Sequence, residues 1–243
     1  MLNNGIRLKK KNNRMSTFLN YLRNSHHKVL ANPVGDILVA GVRVSIEQPV
    51  IDDVDVAGCF THVLEKMPEI FKRNVRQARI GQFAFLKSRE VEAVYKNGTI
   101  YLTSNHESNA SLISDLVHEI AHAFEEGNFA EIYGDELIKD EFLAKRKRLF
   151  LSLESLGLLE YPISEQDFEE TEYSKRFDEY LHETVGYEKL QTITNGIFVS
   201  PYAATCLREY FANAFENFFI NDISLVKKIS PNIYNKLMFF LEF

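Results

Sequence analysis

The sequence predicts an α+β protein, with an N-terminal mixed sheet, a histidine-bearing helix at the junction and a helical C-terminal part. Three observations carry that expectation. Alternating, β-branched runs are confined to the first hundred or so residues. From about Ser108 the apolar spacing changes to helical. Between the two regimes Asn97-Gly98 separates two alternating runs, a strong hairpin signal because both residues tolerate positive φ. With 243 residues, 45% of them hydrophobic and 12% aromatic, the chain has ample material for a packed core.

Residues 1 to 35 carry seven bases (Arg7, Lys9, Lys10, Lys11, Arg14, Arg23 and Lys28) and no acid. The net charge of -6 therefore leaves the remainder at -13, with acids dense between Glu160 and Glu183. Three adjacent lysines without interleaved aromatics are a weak nucleic-acid signal, so the expected role of this stretch is a flexible basic tail. The folded domain is expected over 36 to 243, as an α/β lobe from 36 to 130 and a helical lobe from 131 to 243.

Within the first lobe, Asp36 to Glu47 ("DILVAGVRVSIE") alternates as a strand, and Val56 to Met67 has helical spacing that Pro68 stops. Ala78 to Ser88 is a second strand candidate, and Val91 to Ser104 forms the hairpin about Asn97-Gly98. Ser108 or Asn109 caps the next helix. On that helix Ile113, Leu116, Val117, Ile120 and Phe124 share one side, while Ser111, Ser114, Asp115, His118, His122 and Glu125 share the other. Further helices are expected over Asp135 to Gly157, Phe177 to Gln191, Cys206 to Phe219 and Pro231 to Phe243.

No run reaches the roughly 18 apolar residues of a membrane span, and no secretory signal opens the chain. A soluble, cytoplasmic protein is the expectation. Cys59 and Cys206 fit neither a disulfide framework nor a metal knuckle.

The chemistry concentrates in "LVHEIAHAFEE", Leu116 to Glu126. Imidazoles at i and i+4 project side by side, which lets His118 and His122 ligate one Zn2+ ion at about 2.0 to 2.1 Å. Glu119 lies about 100° round the helix, off the ligand face but within reach of a water on the metal, the placement of a general base. Zinc lowers the pKa of such a water to around 7 and polarises a carbonyl. Glu125 and Asn128 stand where a metzincin needs glycine and histidine, which excludes that class. The third ligand is left to a downstream carboxylate or to His182.

Further on, Glu209-Tyr210-Phe211-Ala212-Asn213-Ala214-Phe215 follows a Glu-x-Phe-Ala-x-x-Phe pattern. Together with His-Glu-x-x-His, it resembles the zincin metallopeptidases of the anthrax lethal factor catalytic domain and Pro-Pro endopeptidase type. The resemblance implies a zincin-like fold and Glu209 as third zinc ligand. It also implies that Tyr202, seven residues earlier, assists the transition state. Helical spacing puts Phe211, Ala214, Phe215 and Phe218 opposite Glu209, Ala212, Asn213 and Glu216, and a small Ala212 suits a close approach of the two helices. In such zincins an edge strand before the active-site helix pairs with an extended peptide, and "GTIYLTS" (Gly98 to Ser104) is expected in that role.

The chain also departs from the pattern. His122 and Glu209 are 87 residues apart, so residues 135 to 195 read as an inserted helical segment. Phe218 replaces a frequent tyrosine, and no proline-directed specificity is carried over. The expected function is a zinc-dependent peptidase acting on peptide or protein substrates. Its alternative is a non-catalytic zincin-fold module with zinc as a structural staple.

Overall fold

The computed structural model describes residues 34 to 51 and 53 to 242. The basic residues Arg7 to Lys28 lie outside them.

The sheet opens with a hairpin. Asp36 to Glu47 is not one strand but two, β1 (Gly35–Val39) and β2 (Val42–Ile46), paired antiparallel with Val39 opposite Val42. Ala40 (φ 46°) and Gly41 (φ 83°) make the two-residue turn, whose twist suits a hairpin. The sequence carried a trace of this, since the alternation changes phase between Val39 and Val42. Alanine at a positive-φ position, however, is no turn signal.

Helix α1 (Val56–Lys66) is capped by Asp55, which accepts from the Gly58 N–H, and ends before Pro68; α2 (Glu69–Lys72) follows. Strand β3 (Gln77–Gly81) is parallel to β2. The strand expected over Ala78 to Ser88 stops at Gly81, and its second half is α3 (Ala84–Arg89), closed by Glu90 in the left-handed region. Strands β4 (Ala93–Lys96) and β5 (Thr99–Thr103) form the expected hairpin, with Asn97 at φ 51° and Gly98 at φ 83°.

The sheet order is β1-β2-β3-β5-β4. This corrects the expectation for "GTIYLTS". β5 is interior, parallel to β3 on one side and antiparallel to β4 on the other, so the edge next to the histidine helix is β4. The reason is burial: Ile100 and Leu102 pack under the helices in register with Ala78 and Ile80, whereas β4 is only partly covered. The more apolar strand of the hairpin takes the central place.

The histidine helix, α4 (Asn109–Gly127), begins at Ser108, whose side chain accepts from the Ser111 N–H. Leu112, Leu116, Val117, Ile120 and Phe124 are buried, while Ile113 is only partly so. Helix α5 (Phe129–Tyr133) follows, then α6 (Leu137–Ser155) and α7 (Glu165–Glu169). The single helix expected over Phe177 to Gln191 is three pieces: α8 (Lys175–Glu179), a π-helical stretch (Tyr180–Gly186) and α9 (Tyr187–Thr194). Gly186, at φ 85°, sets the break. A 3₁₀ turn (Tyr202–Ala204) leads into α10 (Leu207–Ile220), followed by α11 (Ile223–Ile229) and α12 (Pro231–Leu241).

One hydrophobic cluster runs from Val39 to Phe240, so the two expected lobes share a core. At its centre Phe71 packs on Phe124 (4.9 Å between centroids), Phe215 (5.6 Å) and Phe219 (5.0 Å), and Phe124 packs on Phe240 (4.9 Å). These rings hold α4 and α10 together from beneath. Helix α6, the first of the 135 to 195 segment, belongs to the same core through Ile138, Phe142, Leu149 and Leu153. Its buried Arg146 lies 3.9 Å from the Phe177 ring centre and donates to the Ala204 carbonyl at 2.5 Å, the Thr205 carbonyl at 3.0 Å and the Asp167 carbonyl. That arrangement binds the segment to the turn before α10. Among the described residues no helix is long and apolar enough to cross a membrane.

Candidate metal centre

His118 and His122 leave α4 on the side away from its apolar stripe, as helical spacing requires, and α10 covers that side. The two imidazole rings stand 5.0 Å apart. Glu209, in the first turn of α10, enters between them. His118 Nε2 lies 3.0 Å from Glu209 Oε2, and His122 Nε2 lies 3.5 Å from Glu209 Oε1. The ligand atoms of the three residues all fall within 4.8 Å of one another.

A tetrahedral ion with bonds of 2.0 to 2.1 Å needs ligand atoms about 3.3 Å apart. The two nitrogen–oxygen separations, 3.0 Å to Oε2 and 3.5 Å to Oε1 of Glu209, lie near that spacing. Two imidazoles and a carboxylate are also a donor set that divalent transition metals accept. The group can therefore hold a metal ion. His182 takes no part: it is exposed in the π-helical stretch, with Tyr187 as its ring neighbour.

Behind each imidazole stands another carboxylate. His122 Nδ1 is 3.5 Å from Glu125 Oε2, and His118 Nδ1 is 3.5 Å from Glu216 Oε2. Glu125 also accepts from the Tyr133 hydroxyl at 2.5 Å and from Arg208 Nε at 2.8 Å; Glu216 accepts from the Ser114 hydroxyl. A carboxylate on Nδ1 leaves Nε2 to face a metal, the arrangement that fixes a ligand histidine's ring and tautomer.

The charges follow from this packing. Burial opposes a charge on His118, but the hydrogen bonds to Glu209 and Glu216 outweigh it and raise the imidazole to about 10. Burial likewise opposes a charge on His122, and Glu125 and Glu209 raise it to about 9. Burial disfavours the Glu209 anion, yet the two histidines hold its carboxyl far below the usual range. Glu125 is held below its usual value against the same opposition, by His122 and Arg208. Metal ligation needs neutral imidazoles, so an ion entering the group displaces protons.

Glu119 is 6% exposed and accepts a hydrogen bond from the Tyr95 N–H of the edge strand β4. Its burial, with a smaller contribution from Glu209, pushes the carboxyl up against the pull of both histidines. Tyr202 opens the 3₁₀ turn, and burial followed by the field of Glu209 pushes its phenol up, so it stays a protonated donor. That turn is tied to α10 through Ser200, whose hydroxyl donates to Asn213 Oδ1 at 2.5 Å; Asn213 in turn donates to the Glu209 carbonyl at 2.8 Å.

His118, His122 and Glu209 thus meet in one group, with Glu119 and Tyr202 in its electrostatic field. Sequence reasoning missed the supporting residues Glu125, Glu216, Arg208, Tyr133 and Ser114. It placed Ser114 and Glu125 on the histidine face and Glu216 on the Glu209 face, but the pairing across helices was not legible. A cavity of about 470 Å³ lies elsewhere, among α6, α7 and α8, lined by Arg146, Asp167, Tyr173 and Arg176 and by none of the three ligand candidates. No protein-family model, no curated protein and no solved structure matches the chain, so the geometry of the group is what bears on its function.

Proposed function

We propose that the chain is a zinc-dependent metallopeptidase of the zincin type, with zinc on His118, His122 and Glu209. The observation that carries the reading is the convergence of both Nε2 atoms on one carboxylate, with the buried Glu119 beside them. When bound, zinc supplies Lewis acidity toward the peptide carbonyl and makes water nucleophilic near neutral pH.

The chain's own residues supply the rest. Glu119, its carboxyl pushed up by burial, takes the proton of the attacking water and returns it to the leaving amine. The Tyr202 hydroxyl donates to the oxyanion that develops on the carbonyl oxygen. An extended peptide adding to the outer edge of β4 takes the Tyr95 N–H from Glu119, and its main-chain hydrogen bonds give affinity.

The test is elemental analysis of purified protein beside His122→Ala and Glu209→Gln. One zinc per chain in wild type, marked loss in both variants, and cleavage of a peptide library that Glu119→Gln abolishes are the expected results. Zinc binding without any cleavage would favour the staple module instead. A folded wild type that binds no zinc would remove both readings.

A further inference from the structure

Glu125 lies three residues after His122 on α4 and is 1% exposed. A carboxylate so deep is costly unless its oxygens are matched by donors. Tyr133 satisfies Oε1 and Arg208 satisfies Oε2, and that second oxygen also faces His122 Nδ1. Arg208 immediately precedes Glu209. One ion pair therefore joins the helix that carries both imidazoles to the helix that carries the third ligand candidate, and its acidic end touches the back of an imidazole.

The pair constrains two motions. A turn of the His122 ring would carry Nε2 away from Glu209 and break the contact of Nδ1 with Glu125. A slide of α10 along α4 would pull Arg208 from Glu125. Both displacements would scatter ligand atoms now within 4.8 Å of one another. Glu125 meets the Nδ1 edge of the ring, opposite the edge that faces Glu209, so it is not itself a ligand. We infer that Glu125 and Arg208 are positioning residues, a clamp that holds His122 and Glu209 in register before any ion arrives. The inference rests on the metal reading above and adds to it residues outside the ligand set.

The experiment measures zinc affinity of the full chain by competition with a chromophoric chelator, for wild type, Glu125→Gln, Arg208→Met and Arg208→Lys. Metal-free melting temperatures and the visible spectra of the cobalt(II)-loaded forms are recorded beside it. Loss of an orienting partner of a ligand histidine typically weakens metal affinity 10- to 100-fold. Glu125→Gln and Arg208→Met are expected in that range with an altered cobalt spectrum, and Arg208→Lys is expected to recover part of the loss. A purely structural ion pair would lower the melting temperature but leave affinity and spectrum at wild-type values, which would overturn the clamp and spare the metal reading. If Glu125→Gln does not fold, Arg208→Met decides: full wild-type affinity there overturns the clamp. A wild type that binds no zinc overturns both.

Discussion

The two imidazoles of the candidate metal centre face the same carboxylate but are supported differently from behind. His122 rests on Glu125 of its own helix, a carboxylate almost fully withdrawn from solvent and gripped by Tyr133 and Arg208. His118 rests on Glu216 of the opposite helix, whose side chain is 16% exposed and which is held by Ser114. Burial magnifies both the benefit of a satisfied charge and the cost of orphaning its partners, so the same role carries unequal stakes on the two sides. Both arrangements bridge α4 and α10, in opposite senses: in one the acid sits on α4, in the other on α10.

The largest expected effect separates this support from the chemistry in front of it. On the proposed peptidase reading, Glu119→Gln should lower turnover by about 10²- to 10⁴-fold, the range of a lost general base, with zinc content unchanged. Its melting temperature should hold or rise, because the substitution removes a charge that burial disfavours. A fall in zinc content would mean that Glu119 shares in support, and the division would fail.

Next comes a direct test of inequality. Glu125→Ala strands the buried Tyr133 hydroxyl and His122 Nδ1, removes the partner of the half-exposed Arg208, and should cost about 1 to 3 kcal/mol in denaturant unfolding of the metal-free chain. Glu216→Ala strands only the Ser114 hydroxyl and one imidazole nitrogen at a wetter position, so about 0.5 to 1.5 kcal/mol is expected. Equal losses would show that depth does not govern the two supports.

The smallest effects lie one step further back. Tyr133→Phe should cost about 1 kcal/mol, because it leaves Glu125 Oε1 without its donor, and Ser114→Ala should cost less. Ser114→Ala as the more damaging of the two would reverse the ranking. Combining Tyr133→Phe with Glu125→Ala, or Ser114→Ala with Glu216→Ala, should be less than additive, which a double-mutant cycle reads directly.

Much of the architecture was legible from periodicity and turn chemistry. The Asn97-Gly98 hairpin, the Ser108 cap and the stop before Pro68 stand where the sequence puts them, because each depends on a few neighbouring residues. The β1-β2 turn was hidden because alanine occupies a conformation that usually signals itself through glycine or asparagine. The expected strand beyond Gly81 and the unbroken helix after Phe177 failed for a related reason. A short alternating or helical pattern does not by itself say where a turn interrupts it.

By itself the sequence determined that His118 and His122 leave one helix together with Glu119 beside them, since spacing on a helix is set by 3.6 residues per turn. It likewise determined that Glu209 and Glu216 share a face of a later helix. Only the tertiary structure decided that these faces meet. Burial of Ile100 and Leu102 made β4 rather than β5 the edge, and the packing of α10 on α4 placed Glu125 against Arg208 from 83 residues further along the chain. The meeting of the two helices comes from the burial of Phe124, Phe215 and Phe219 against Phe71, a long-range packing that brings α4 and α10 side by side and that no local periodicity encodes.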